Sequence, residues 1–358
     1  MSGQRALVNR LAMLDDVPAP AGAEVTAFHT GLPGYAPSPL RDLPAEAAAL
    51  GLASLRYKDE SDRFGLPAFK ILGASWAIER VLREQPATRT LAAASEGNHG
   101  RAVARAARMR GLASRIFLPE HTSAERARLI AEEGAEVMRV PGTYEQAVAT
   151  AEADASVTGG VVIADVAYRP DAPVPAWVTD GYSTIFREAA SQATRPFDLV
   201  FTQIGVGSFA AAGIRFAVHQ SPRAHAIGVE PETAACALAS LAAGEPVVVE
   251  TPGTAMAGLN CGTPSAVAWP TLRDGLTGCI AVSDAEARTA MRDLAALGLT
   301  IGDCGASPLA ALRALASDDR CAELRAAVGL SAETRVLLVA TEGASDPAAY
   351  AAAISAEM

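Results

Sequence analysis

Short apolar runs alternate with helical patterns along most of this chain, and that alternation limits its folds more than any other feature. "TLAAAS" (90–95) reads as a strand and "GRAVARAARMR" (100–110) as the helix that follows it. "RIFLP" then "SAERARLIAEEG" repeats the unit, as does "AEVMRVP" then "YEQAVATAEADA", and "GVVIADVA" follows as a further strand. "FDLVFTQI" leads into a helix from Phe209, and "AHAIGVE" and "TRVLLVATEG" close the series. Strands joined by helices of this length predict an α/β fold, with parallel sheets covered by helices on both faces. Such sheets bind ligands at the carboxyl ends of their strands, where loops open into helices.

With 358 residues, the chain predicts about two domains at ~150 residues each. Residues 1–55 read as an irregular arm with short helices. The Pro-rich stretch "YRPDAPVPAWVTDG" (168–181) reads as a loop or linker between domains. A net charge of −10 without a basic cluster argues against nucleic acid as a partner. No apolar run reaches the ~18 residues that a membrane span requires, and the first residues do not pattern as a secretory signal. Cys236, Cys261, Cys279, Cys304 and Cys321 form no CxxC pair, which predicts reduced thiols, a cytoplasmic setting and no metal site.

The strand-to-helix loops carry the candidate chemistry. In "TQIGVGSFAAAG" (202–213), Gly205, Val206, Gly207 and Ser208 sit between a strand and a helix start. Free N–H groups and the positive helix end suit an anion there. The same letters fit a close-packed turn. Gly205, Gly207 and Ala210, with Glu230 ending the next strand, also fit a dinucleotide fingerprint and an NAD-binding oxidoreductase. "ASEGNHGRAV" (94–103) is a second such loop. Backbone donors at Ser95, Gly97, Asn98 and His99 suit a carboxylate, and Glu96 is a candidate acid or base. His99 reads as a general base or as a satisfied structural residue. Asp165, at the end of "VVIAD", reads as a catalytic acid or a cap. Thr341, after the last strand, reads as a hydroxyl in the cleft or a turn residue.

Lysine usage adds a separate constraint. Of the 30 basic residues only Lys58 and Lys70 are lysines, which leaves 28 arginines. Arginine stays protonated and is no nucleophile, whereas a desolvated lysine loses its proton and attacks carbonyls. Lys70 therefore marks a possible covalent site, and Lys58 reads as a surface or salt-bridge residue.

Taken in order, "YKDESDRFGLPAFKILGA", "SEGNHGRAVA", "GTYEQAV", "WVTDGYST", "GVGSFAAAG", "TAMAGLNCG" and "TEGASDP" resemble the fold-type II pyridoxal-phosphate (PLP) enzymes. This is the family of the tryptophan synthase β chain and the serine/threonine dehydratases, and the resemblance is closest to its diaminopropionate ammonia-lyases. It implies two parallel-type twisted sheets with flanking helices. A large PLP-binding domain would span 1–75 and 195–358, and a smaller α/β domain 76–194. It implies Lys70 as the Schiff-base lysine, with Phe69 beside the cofactor and Asn98 at its phenolic oxygen. Gly205–Ser208 would lie at its phosphate and Thr341 at its pyridine nitrogen. Ser95, Gly97, Asn98 and His99 would surround the substrate carboxylate. Glu96 and Asp165 would be the acids, Glu96 standing where these ammonia-lyases carry aspartate. The implied activity is elimination from 2,3-diaminopropionate to pyruvate and ammonia in a homodimer. Dehydration of serine, threonine or hydroxyaspartate, and a catalytically inactive ligand sensor, are the alternatives.

Overall fold

The computed structural model describes residues 4–95 and 97–355. Eleven strands form two sheets: β1 (Ala6–Val8), β2 (Leu40–Asp42), β3 (Ser54–Asp59), β4 (Thr90–Ala94), β5 (Ala113–Pro119), β6 (Glu136–Val140), β7 (Val161–Val162), β8 (Leu199–Gln203), β9 (His225–Pro231), β10 (Gly278–Val282) and β11 (Arg335–Ala340). The larger sheet has the order β1-β10-β9-β8-β11-β3-β2, and the smaller β6-β5-β4-β7. All pairings are parallel except those of the two edge strands, β1 on β10 and β2 on β3. The N-terminal arm is therefore more ordered than its composition predicts, because it supplies both antiparallel edges of the larger sheet.

Side-chain alternation divides the core. Along β11, Leu337 and Val339 pack into one apolar cluster, while Val336, Leu338 and Ala340 pack into the other. The period of two places one cluster on each face of the larger sheet, as parallel strands covered on both sides require. The smaller sheet shows the same division: Leu91 and Ala93 join the first cluster and Ala92 a separate one.

The Pro-rich segment is not simply a linker. A helix spans Pro173–Gly181 and continues almost directly into Ser183–Gln192. Pro173 and Pro175 lie in its first turn, where backbone N–H groups have no intrahelical partner and proline costs little. Lys58 is not on the surface. Its side chain is fully buried, and Nζ donates to Glu188 at 2.7 Å and to the Ser38 carbonyl at 2.6 Å. Arg63 and Glu60 join the same buried cluster. Among the described residues, no helix is long and apolar enough to cross a membrane.

Candidate active site

Lys70 is the first residue of the helix Lys70–Glu84, with Phe69 immediately before it. The loop leading to them is tied to the end of β11. Phe69 N–H donates to the Thr341 carbonyl at 3.3 Å, Gly343 N–H donates to the Pro67 carbonyl at 3.0 Å, and Ala68 bridges Glu342. Lys70 and Thr341 therefore lie beyond the carboxyl ends of two adjacent parallel strands, β3 and β11, and share one rim of the sheet.

Lys70 Nζ donates to Asp165 Oδ2 at 2.8 Å. Asp165 lies three residues beyond β7, in a bend rather than at the strand end. Burial acts on both groups against their charged forms. For Lys70 the opposing effects of Asp165 and Tyr182 outweigh it and raise the amine's pKa. For Asp165, His99 and Lys70 outweigh burial and hold the carboxyl well below the usual range. His99 Nε2 lies 2.8 Å from the Ile163 carbonyl, which can only accept, so that nitrogen carries a proton. Its buried Nδ1 has no hydrogen-bond partner among the described residues and lies 3.7 Å from Asp165 Oδ2. Asp165 is thus flanked by His99 and Lys70.

Tyr182 was not singled out by sequence reasoning, although it lies inside "WVTDGYST". It is fully buried, edge-on to the Phe69 ring at 4.6 Å, with Lys70 Nζ 5.9 Å from its own ring centre. Among the described residues its hydroxyl makes no well-formed hydrogen bond, and burial raises its pKa against the opposing pull of Lys70, so it remains a neutral phenol. Cys261 is nearby, but burial, with Asp165, pushes its thiol up to about 12, far from a thiolate nucleophile.

The loop after β8 runs into the helix Ser208–His219. Gly207 has φ +97°, a conformation that side chains resist, and a Cβ at Gly205 would meet the Gly258 carbonyl at 2.8 Å. Among the described residues no acceptor takes the N–H groups of Gly205, Val206, Gly207 or Ser208. Ser208 Oγ donates to the Asp165 carbonyl at 2.6 Å, which ties this loop to the acid. Four free amides at a positive helix end suit a phosphate.

At the second loop, the Ser95 N–H is spent on the Phe117 carbonyl at 3.2 Å, and the Gly97 N–H reaches Ser95 Oγ at 3.4 Å. Asn98 opens the helix Asn98–Met109. Its Nδ2 donates to Glu342 Oε2 at 2.7 Å and to Ser345 Oγ at 3.1 Å, joining the smaller sheet's first helix to the loop after β11. Glu96 lies outside the described residues. Thr341 is buried beside Gln203, whose role no local pattern signals.

The dinucleotide reading fails at Glu230. Its carboxylate is fully buried and accepts N–H bonds from Ala237 and Leu238 at 2.7 and 2.8 Å, so it caps a helix and faces no ribose. The residues present do fit PLP: an amine at Lys70, four free amides for a phosphate, and a neutral hydroxyl at Thr341 on one rim.

Comparison with known proteins agrees. The diaminopropionate ammonia-lyase of Salmonella typhimurium (strain LT2) is 35% identical over 366 residues, covering 92% of this chain and 90% of its own length. The crystal structure of diaminopropionate ammonia lyase from Escherichia coli in complex with D-serine superposes with a TM-score of 0.90 at 30% identity, covering 98% of this chain and 96% of that one. The same enzyme with an aminoacrylate-PLP azomethine reaction intermediate superposes equally well, at the same identity and coverage. The model of the pyridoxal-phosphate dependent enzyme family matches residues 32–342, and the chain belongs to that family, with PLP as its cofactor.

Proposed function

We propose that this chain eliminates the β-amino group of 2,3-diaminopropionate, giving pyruvate and two molecules of ammonia with the uptake of one water. The observation that carries the reading is the 2.8 Å contact between Lys70 Nζ and Asp165, beside a helix start with four free amides. The likeness to diaminopropionate ammonia-lyases over most of both chains supports the substrate.

Bound PLP supplies an aldehyde that amines capture and a ring that disperses the charge left at Cα. Lys70 would hold the cofactor in the resting enzyme, and its Nζ, once free, would be the base that takes the Cα proton. For the opposite enantiomer, an acidic side chain, Asp165 or Glu96, would take that proton instead. The β-amino group keeps its proton, or takes it back from one of these carboxyl groups, as the Cβ–N bond breaks with its electron pair on nitrogen, so that it departs as neutral ammonia. Such proton transfer contributes ~100- to 10,000-fold. The enamine left behind takes up water and releases the second ammonia. Gly205, Val206, Gly207 and Ser208 would hold the phosphate, Thr341 the ring nitrogen, and Phe69 would pack beside the ring; Asn98 would take the phenolic oxygen by giving up its present contacts to Glu342 and Ser345. Ser95 Oγ and the amides of Gly97, Asn98 and His99 receive the substrate carboxylate. The carboxylates near Lys70 favour a substrate with a second ammonium over serine or threonine.

The reading includes two lobes, 1–75 with 195–358 and 76–194, enclosing this cleft. It also includes a homodimer and a cytoplasmic setting, in keeping with five free thiols. Light scattering on the purified protein tests the dimer. For the chemistry, borohydride treatment should fix a cofactor on Lys70, and Lys70→Ala should abolish turnover. Pyruvate and ammonia release should be compared across D- and L-diaminopropionate, serine, threonine and hydroxyaspartate. Absence of pyruvate from both diaminopropionate enantiomers would reject the substrate.

A further inference from the structure

We propose that Gln203 is a positioning residue that fixes the Thr341 hydroxyl as a hydrogen-bond donor toward the cofactor's ring nitrogen. The inference rests on the reading that places Thr341 at that nitrogen, and it adds the residue that decides which way the hydroxyl's proton points.

Gln203 is the last residue of β8 and is 2% exposed. Its Nε2 lies 2.7 Å from the Val339 carbonyl, 3.1 Å from the Cys304 carbonyl and 3.3 Å from Thr341 Oγ1. The two carbonyls can only accept. They therefore identify the group facing them as the NH2 end of the amide, with no reference to Thr341. An amide NH2 has no lone pair to offer, so the Thr341 hydroxyl cannot donate to it. With two protons for three acceptors, the 3.3 Å contact is the weaker branch of a shared bond, and it can only place Thr341 Oγ1 on the accepting side.

The hydroxyl's own proton then has no acceptor among the described residues. Thr341 is buried, so water does not freely take that proton either. An unprotonated ring nitrogen offers one in-plane lone pair and completes the arrangement. A protonated ring nitrogen would claim the hydroxyl as acceptor and leave its proton buried without a partner, which the site disfavours.

Gln203 Oε1 supplies a separate observation. It is buried and, among the described residues, has no hydrogen-bond partner. A side chain kept in the core with one end unsatisfied is held there by its other end, and that end binds the strand next to Thr341. The oxygen is also poorly placed to relieve Thr341, because the carbonyls of Val339 and Cys304 would repel it if the amide turned over.

The test uses holoenzyme reconstituted with PLP labelled with 15N at the ring nitrogen, which reports protonation and hydrogen bonding at that atom by NMR. The wild-type signal should be that of an unprotonated, hydrogen-bonded nitrogen. Thr341→Val should shift it toward a free pyridine, and Gln203→Met should shift it part of the way or toward the protonated form. The double variant should match Thr341→Val alone, since Gln203 acts only through the hydroxyl. A signal that moves in Thr341→Val but not in Gln203→Met overturns the proposal and leaves the Thr341 reading intact. A signal that moves in neither removes the Thr341 reading, and the proposal with it. Should Gln203→Met fail to fold, a crystal structure of the wild-type holoenzyme decides. Thr341 Oγ1 within hydrogen-bond reach of both Gln203 Nε2 and the ring nitrogen supports the proposal, and a hydroxyl turned away from either overturns it.

Discussion

Lys70 and Asp165 form a direct ion pair, Nζ to Oδ2 at 2.8 Å, with both side chains largely shielded from solvent. The amine that must become nucleophilic is therefore held as an ammonium by the carboxylate that later handles protons. Asp165→Asn keeps the shape and removes the charge. Because Asp165 raises the Lys70 pKa, the variant should form its imine with added PLP at lower pH than the wild-type apoprotein does. Turnover should nonetheless fall by ~100-fold or more, since general acid–base work is lost. The measurement is imine absorbance against pH. A profile that does not move would show that Asp165 does not set the state of Lys70.

Tyr182 separates a functional hydroxyl from a structural one. Among the described residues its hydroxyl makes no well-formed hydrogen bond, Lys70 being the group that acts on it, so Tyr182→Phe should leave stability to urea within about 0.5 kcal/mol of wild type or raise it slightly. If the phenol receives Lys70 Nζ once substrate has displaced it, kcat should fall while PLP affinity stays. A stability loss above about 1 kcal/mol with unchanged kcat would assign the hydroxyl to the core instead.

The buried cluster behind the Lys70 loop makes a third prediction. Glu188 accepts from Lys58 at 2.7 Å and from Arg63 at 2.8 and 2.9 Å, and Arg63 also pairs with Glu60. Burial raises the Glu188 pKa, but the two cations outweigh it and bring the carboxyl to about 2. Glu188→Ala leaves two buried cations short of a partner, and losses of about 3–5 kcal/mol are typical of that change. Urea unfolding of Glu188→Ala and Glu188→Gln measures it. A cost below about 1 kcal/mol would mean that the cluster admits water.

The parallel sheets and the loops at their carboxyl ends were legible because periodicity and glycine placement are local properties. "TLAAAS", "RIFLP" and "FDLVFTQI" all lie on strands, and the Gly205 loop opens a helix as expected. Lys58 is a salt-bridge lysine, one of the two readings offered, but the other, a surface position, fails because Glu188 lies 130 residues away and no local pattern announces that the pair is buried. The Pro173 helix was missed because prolines in a first helical turn look, in a string of letters, like those of a linker. Gln203 and Tyr182 lie inside "TQIGVGSFAAAG" and "WVTDGYST", but nothing in those stretches singles them out. Their interest comes from an amide oriented by two carbonyls and a hydroxyl left unpaired, and both facts exist only after folding.

His29 links acidity to the helix that carries Lys70. Its Nε2 faces the Leu72 carbonyl at 2.9 Å and its Nδ1 lies 2.8 Å from Thr184 Oγ1, so the neutral ring donates to the first and accepts from the second. Burial is the main cause that brings its pKa from 6.5 to about 4. The unfolded chain therefore binds a proton at higher pH than the folded one. The stability from neutral His29 is complete above pH 6.5 and declines as pH falls from 6.5 to about 4. Over that span the loss approaches about 3 kcal/mol. His29→Gln keeps a donor and an acceptor but cannot titrate. It should be less stable than wild type at pH 7.5, and the difference should narrow or reverse at pH 5. Urea unfolding at the two pH values measures this. Parallel losses in the two proteins would move the origin of acid sensitivity away from His29. Protonation keeps the Nε2 bond to Leu72, two residues after Lys70, but ends Nδ1's acceptance from Thr184 and places a buried charge against the first turn of the helix that holds the catalytic amine. The acid limb of activity should then track the acid limb of stability in wild type, and the two should separate in His29→Gln.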